Sequence, residues 1–128
     1  MEAASEEKRT KTPVSVLLSI ILSIALVWVF YTYVSLHLRV SLADGYITIF
    51  EQMWTEALAS TSVSDAVGKL RYTIGYYPSG STQVPGSKVD RIVETARGHA
   101  IRDIVAHLRT LSSEDLGDEP EAWLGRYP

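Results

Sequence analysis

The chain has no cysteine in its 128 residues. That excludes disulfide staples, thiolate metal sites, a cysteine nucleophile and a lipid-modified cysteine start. Positive charge is also in short supply: Lys and Arg number 12 against 15 Asp and Glu, for a formal charge of −3. A mildly acidic chain without a basic stripe speaks against nucleic acid as a partner, because phosphate needs clustered cations. No fixed repeat period is present, which argues against a solenoid or an array. Catalytic patterns are missing too. No Ser/His/Asp order, nucleophile elbow or pair of carboxylates in an apolar setting stands out, so the chain leans away from an enzyme, and it suggests no cofactor. The stretch Gly80…Gly86-Ser87-Lys88 fails as a phosphate loop: its glycines are too far apart, Lys follows Ser, and no strand precedes it.

The most informative absence is local. From Val14 to Val34 there is no charged residue and no glycine. A hydrocarbon core of about 30 Å takes about 20 apolar helical residues to cross, so Pro13 to Leu38 is read as a single transmembrane helix. Trp28, Phe30, Tyr31 and Tyr33 crowd its C-terminal end, where amphipathic rings prefer the headgroup layer, and His37 and Arg39 mark the same interface. Residues 1–12 are charged and lack large apolar side chains, which predicts a disordered tail. Lys8, Arg9 and Lys11 outweigh Arg39 across the span, placing that tail in the cytoplasm and the rest of the chain outside the cell membrane. The outer side would be periplasmic in an envelope with two membranes. A rival reading is a cleaved signal peptide: Ser41-Leu42-Ala43 has small residues at the required spacing, which would release a secreted helical domain. Ser19 and Ser23, four apart, are expected to bond back to their own helix.

Beyond the span, residues 39–128 are expected to form one small all-α domain: a helical hairpin, a long helix and a short C-terminal helix. In 43–60, Tyr46, Ile47, Ile49, Phe50, Met53, Trp54, Ala57 and Leu58 share a helical stripe, with Asp44 as a plausible N-cap. Whether that helix continues from the span or restarts is open at this level. Ser62 caps a second helix whose Val63, Ala66, Val67, Leu70, Ile74 and Tyr77 recur at helical spacing, ending before Pro78. Residues 78–86, rich in Pro and Gly, form the one substantial loop. Ser87 then caps a helix from about Lys88 to Leu111, with Asp90 in the capping-box position. Its stripe is Val89, Ile92, Val93, Ala96, Ala100, Ile104, Leu108 and Leu111, and Gly98 is expected to permit close helix packing. Pro120 opens a last short helix.

Two groups of residues are candidate sites. His99, Asp103 and His107 follow one another at four-residue steps, and His with carboxylate is a metal-ligand combination. The outer two stand about 12 Å apart along the axis, so one ion cannot take all three. The expectation is ordinary pairing of Asp103 with a histidine, with a metal-binding or enzymatic module as the alternative. Tyr72 and Tyr76 lie opposite Val67, Leu70 and Ile74, on the nominally wet face of the second helix. They are expected to pack on the third helix or the Trp123 tail, or else to meet a protein partner or headgroups. Tyr72, Tyr76, Trp54 and Trp123 are therefore the partner-contact candidates. Trp28, Tyr31, Tyr33 and Arg39 are the membrane-interface candidates.

The run Leu108-Arg109-Thr110-Leu111-Ser112-Ser113-Glu114-Asp115-Leu116-Gly117-Asp118-Glu119-Pro120-Glu121-Ala122-Trp123 resembles a tail that recurs in uncharacterised bacterial proteins. Its pattern is Leu-Arg, a Thr-Gly pair, Asp-Leu-Gly or Asp-Phe-Gly, an acidic-Pro pair and Trp; here Ser112-Ser113 stands in place of Thr-Gly. Tyr76 to Ser81, followed by the long helix, is similar to short membrane-anchored proteins of the same kind. The resemblance covers about a third of the chain. It implies a helical ending in which Trp123 caps the core, and it implies no activity. Taken together, the residues point to a membrane-anchored helical protein of the cell envelope that binds a protein partner or itself.

Overall fold

The computed structural model describes residues 13–77 and 82–128. The expectations for the tail at 1–12, including its Lys8, Arg9 and Lys11 flank, and for loop positions 78–81 lie outside the described residues. Within them the chain is all-α: α1 (Val14–Ala59), α2 (Val63–Gly75), α3 (Lys88–Ser112) and α4 (Pro120–Arg126). It divides into two compact units, the first ending at Leu36 and the second covering His37–Pro128.

In the first unit, no residue from Val14 to Val34 is buried. Apolar residues occur all round the helix, so it has no single face to hide, and it is long and apolar enough to cross a membrane. Ser19 donates to the carbonyl of Ser15 at 2.9 Å, the local back-bond expected of a hydroxyl in such a helix.

The second unit begins inside α1. The helix does not restart after the apolar run, and Asp44 is not an N-cap: it lies in mid-helix, where its carbonyl accepts from Thr48 Oγ1 at 2.9 Å. The reason is burial. Ala43, Phe50 and Ala57 are buried at steps of seven residues, two helical turns apart, so one line of α1 faces the core throughout. Packing along that line offsets the cost of Gly45, about 1 kcal/mol relative to Ala.

Ala57 joins Ala66, Val67 and Leu70 of α2, Ile104, Val105 and Leu108 of α3, and Trp123 of α4 in one core cluster. A second cluster gathers Ala43 and Phe50 with Tyr77, Val93 and Ala100. Both interior helix starts are capped as read. Ser62 Oγ accepts from the Asp65 N–H at 3.4 Å and Ser87 Oγ from the Asp90 N–H at 3.2 Å. Three apolar expectations fail. Leu58 and Ile92 are exposed, because each is about 100° round its helix from the buried neighbours Ala57 and Val93. A Cβ at Gly98 would meet nothing within 4 Å, so that glycine serves no close approach.

Candidate functional site

The polar centre of the second unit closes the connection between α2 and α3. Tyr77, just past α2, is buried, and its hydroxyl donates to Asp90 Oδ1 at 2.7 Å. Gly86 N–H donates to Oδ2 of the same carboxylate at 2.8 Å. Asp90 thus occupies the capping-box position, but its side chain reaches beyond Ser87 to the preceding residue and to a tyrosine. Burial, reinforced by the Asp90 carboxylate, pushes the Tyr77 phenol well above its ordinary range. Gln83, also buried, donates its amide to the Arg39 carbonyl of α1 at 2.8 Å. These contacts leave the carboxylate engaged with donors, as a buried charge requires. They make a structural clamp. Asp90 was visible in the sequence as a capping residue and Tyr77 as the end of an apolar stripe. Nothing in the spacing showed that the two would meet.

Around this clamp runs a chain of aromatic rings. Tyr46 of α1 packs edge-on against Tyr77 (centroids 4.7 Å apart) and Tyr76 (5.6 Å). Tyr76 also meets Phe50 edge-on at 6.4 Å and stacks on Tyr72 at 4.9 Å. Tyr76 therefore packs on rings of α1 and Tyr72 stacks on Tyr76; their ring partners are in α1 and α2, where α3 or the Trp123 tail was expected. Each such pair contributes about 0.5–1.5 kcal/mol beyond area burial. The outer rings nevertheless stay open to solvent, Tyr72 at 45% and Tyr76 at 36%. They form a preorganised tyrosine surface.

Trp54 is half-buried, with its indole nitrogen shielded and unpartnered. It lines a cleft of about 280 Å³ with Phe50, Glu51, Ala96, His99, Ala100 and Asp103. Trp123 is placed differently from a contact residue. It is fully buried in the core and donates its indole N–H to the Gly117 carbonyl at 3.1 Å, so it offers no surface to a partner. Its acceptor sits at a residue with φ of +84°, a conformation that suits glycine.

The histidines do not converge. His99 Nδ1 lies 2.9 Å from Arg102 Nη2, and because guanidinium can only donate, that nitrogen is an acceptor. His107 Nε2 lies 3.1 Å from the Ser60 carbonyl and must donate there. Neither pairs with Asp103, contrary to the expectation, and each has a ring nitrogen committed to a protein contact. Among the described residues, no three His, Cys, Asp or Glu side chains are placed to hold a metal ion. Of the interface candidates, Trp28, Tyr31 and Tyr33 are exposed on α1, as is Arg39. Comparison with protein-family models, with curated proteins and with solved structures finds no match.

Proposed function

We propose that the chain is a single-pass membrane protein of the cell envelope, with an outward-facing helical unit that binds a protein partner as an accessory or assembly component. The observation that carries this reading is the exposed run of α1. An apolar window of mean hydropathy 2.5 with none of its residues buried is a surface matched to lipid. At about −0.3 to −0.6 kcal/mol for each central Leu, Ile, Val or Phe, a dozen such residues favour insertion by roughly 5 kcal/mol. The cation bias of Lys8, Arg9 and Lys11 supports a cytoplasmic N-terminus, and the rings from Trp28 to Tyr33 suit the opposite headgroup layer. Retention of the anchor is supported by Ala43. The residue that would precede a signal-peptide cut is buried in a continuous helix, where a protease has no extended strand to grip.

The tyrosine surface at Tyr72 and Tyr76 is the contact this reading assigns to the partner, since a ring held by α1 and a second stacked on it lose little freedom on binding. The test uses the full chain with a C-terminal tag. It should resist alkaline extraction from membranes, and the tag should be cleavable by protease added outside intact spheroplasts. Purification in mild detergent should bring down a stoichiometric partner or a second copy, and the Tyr72→Ala/Tyr76→Ala pair should lose it. Release at alkaline pH would overturn the anchor. Capture unchanged by the double substitution would overturn the tyrosine contact.

A further inference from the structure

Among the described residues, the cations of the second unit that have no ion-pair or hydrogen-bond partner gather at one end of α3, where Asp90 is buried and Glu94 is held by Arg97. Lys69, Arg97, Arg109 and Arg126 are each ion-paired with a carboxylate. Arg71 donates to the Tyr127 carbonyl, and Arg102 to His99. Arg39, Lys88 and Arg91 differ: no side-chain hydrogen bond or ion pair holds any of them among the described residues. All three sit at one end. Lys88 and Arg91 lie in the first turn of α3, and Gln83, from the loop just before it, is bonded to the Arg39 carbonyl. Glu114, Asp115, Asp118, Glu119 and Glu121 follow the other end of α3. The 25 residues between correspond to about 37 Å of helix.

The basic end is also apolar. Val84 is 53% exposed and Ile92 58%, and Leu38, Val40 and Leu42 of α1 are exposed as well. Ile47, Ile92 and Ala96 line an open groove together with Lys88 and Arg91. Single exposed aliphatics mean little. Aliphatics interleaved with unpaired cations have the makeup of a surface that lies on an anionic interface. Asp44 is the first exposed carboxylate after Arg39, more than a helical turn further along α1. Arg39 lies close to the first residue of this unit, His37.

We infer that Arg39, Val84, Lys88, Arg91 and Ile92 form a docking surface for the headgroup layer of an anionic phospholipid leaflet. The aliphatics enter the interface and the cations meet phosphate, while the acidic end is held away. The inference rests on the reading of Val14–Val34 as a membrane span.

The absence of native cysteine permits a direct test. Full-length chains carrying V27C, V84C, I92C or E121C are labelled with an environment-sensitive fluorophore. They are reconstituted in liposomes of phosphatidylcholine alone or mixed with phosphatidylglycerol. Headgroup-labelled spin lipid should quench V84C and I92C at least about twofold more in the anionic liposomes, and E121C in neither. Lys88→Gln and Arg91→Gln should each weaken the anionic-lipid docking about fivefold. V84C and I92C quenched no more than E121C, with V27C strongly quenched by chain-labelled lipid, would overturn the docking surface and leave the span intact. An unquenched V27C would overturn both. Shielding of I92C from aqueous iodide without lipid quenching, growing with protein density, would put a second copy on this face and overturn the lipid assignment.

Discussion

One helix serves two regions whose side chains meet opposite fates. From Val14 to Val34, α1 buries nothing, although nearly every residue is apolar. From His37 to Ala59 it is interrupted by Arg39, Asp44, Glu51 and Glu56, yet it buries Ala43, Phe50 and Ala57. The more hydrophobic region is the more exposed one. Burial inside a protein requires apolar residues confined to a stripe that another element can cover. A helix that is apolar all round has no such stripe, and in the proposed reading its complement is the lipid interior.

The contrast breaks most sharply at Trp123. Truncating this buried indole with Trp123→Ala should cost the helical unit about 3–5 kcal/mol. Thermal unfolding of the detergent-solubilised chain would show it, with alkaline extraction unchanged. Val27→Lys should do the reverse: about 2.5–3.5 kcal/mol against insertion, seen as loss from the membrane fraction, with the same unfolding midpoint for the helical unit. A substitution that moved both readouts together would mean the two regions are not independent.

A smaller effect is expected at the clamp. Tyr77→Phe removes a donor from a buried carboxylate and should destabilise by about 1–3 kcal/mol, checked by denaturant unfolding. Two substitutions should stabilise, each by about 1 kcal/mol or somewhat less. Gly98→Ala fills open space in the middle of α3. Ser113→Gly relieves a left-handed residue (φ 56°) at the end of that helix. The smallest effects concern pH. Arg126 and the Tyr127 hydroxyl hold the Glu114 carboxyl below its ordinary value, and Lys69 does the same for Glu56. Each lowered value contributes stability that is full above the ordinary carboxylate range and lost as pH falls through it. Glu114→Gln should therefore flatten the acid limb of an unfolding midpoint measured against pH. The raised Tyr77 phenol contributes in the opposite sense: its share is present below the ordinary tyrosine value of 10.0 and lost as pH rises beyond it. Tyr77→Phe should remove that alkaline limb.

Element identity and most caps were readable from the residues. Ser62 and Ser87 announce their helices because a hydroxyl before an apolar-periodic run has an orphan N–H to accept from. Other features were hidden by their distance in sequence. The Ser112-Ser113 pair gave no sign in the sequence of a left-handed residue. The structure shows Ser113 in the very conformation that glycine would adopt without strain. Tyr72 and Tyr76 were placed on the outward side of α2, but Tyr76 turned out to rest on Tyr46 and Phe50 of α1, with Tyr72 stacked on Tyr76. Helical periodicity says which side of a helix a residue occupies, and nothing about which neighbour stands there.

Taken alone, the sequence determined the apolar run from Val14 to Val34, the helical character and order of the segments and the capped starts of α2 and α3. Each of these depends on residues within a few turns of one another, where spacing and local hydrogen bonding decide the outcome. Only the tertiary structure decided that α1 passes unbroken through Asp44, that Trp123 is core, that Asp90 holds Tyr77, and that the histidines point to separate partners. Those outcomes depend on contacts between segments tens of residues apart. There, burying one stripe of α1 against α2 and α3 outweighs the local preferences of Asp44 to start a helix and of Gly45 to interrupt one.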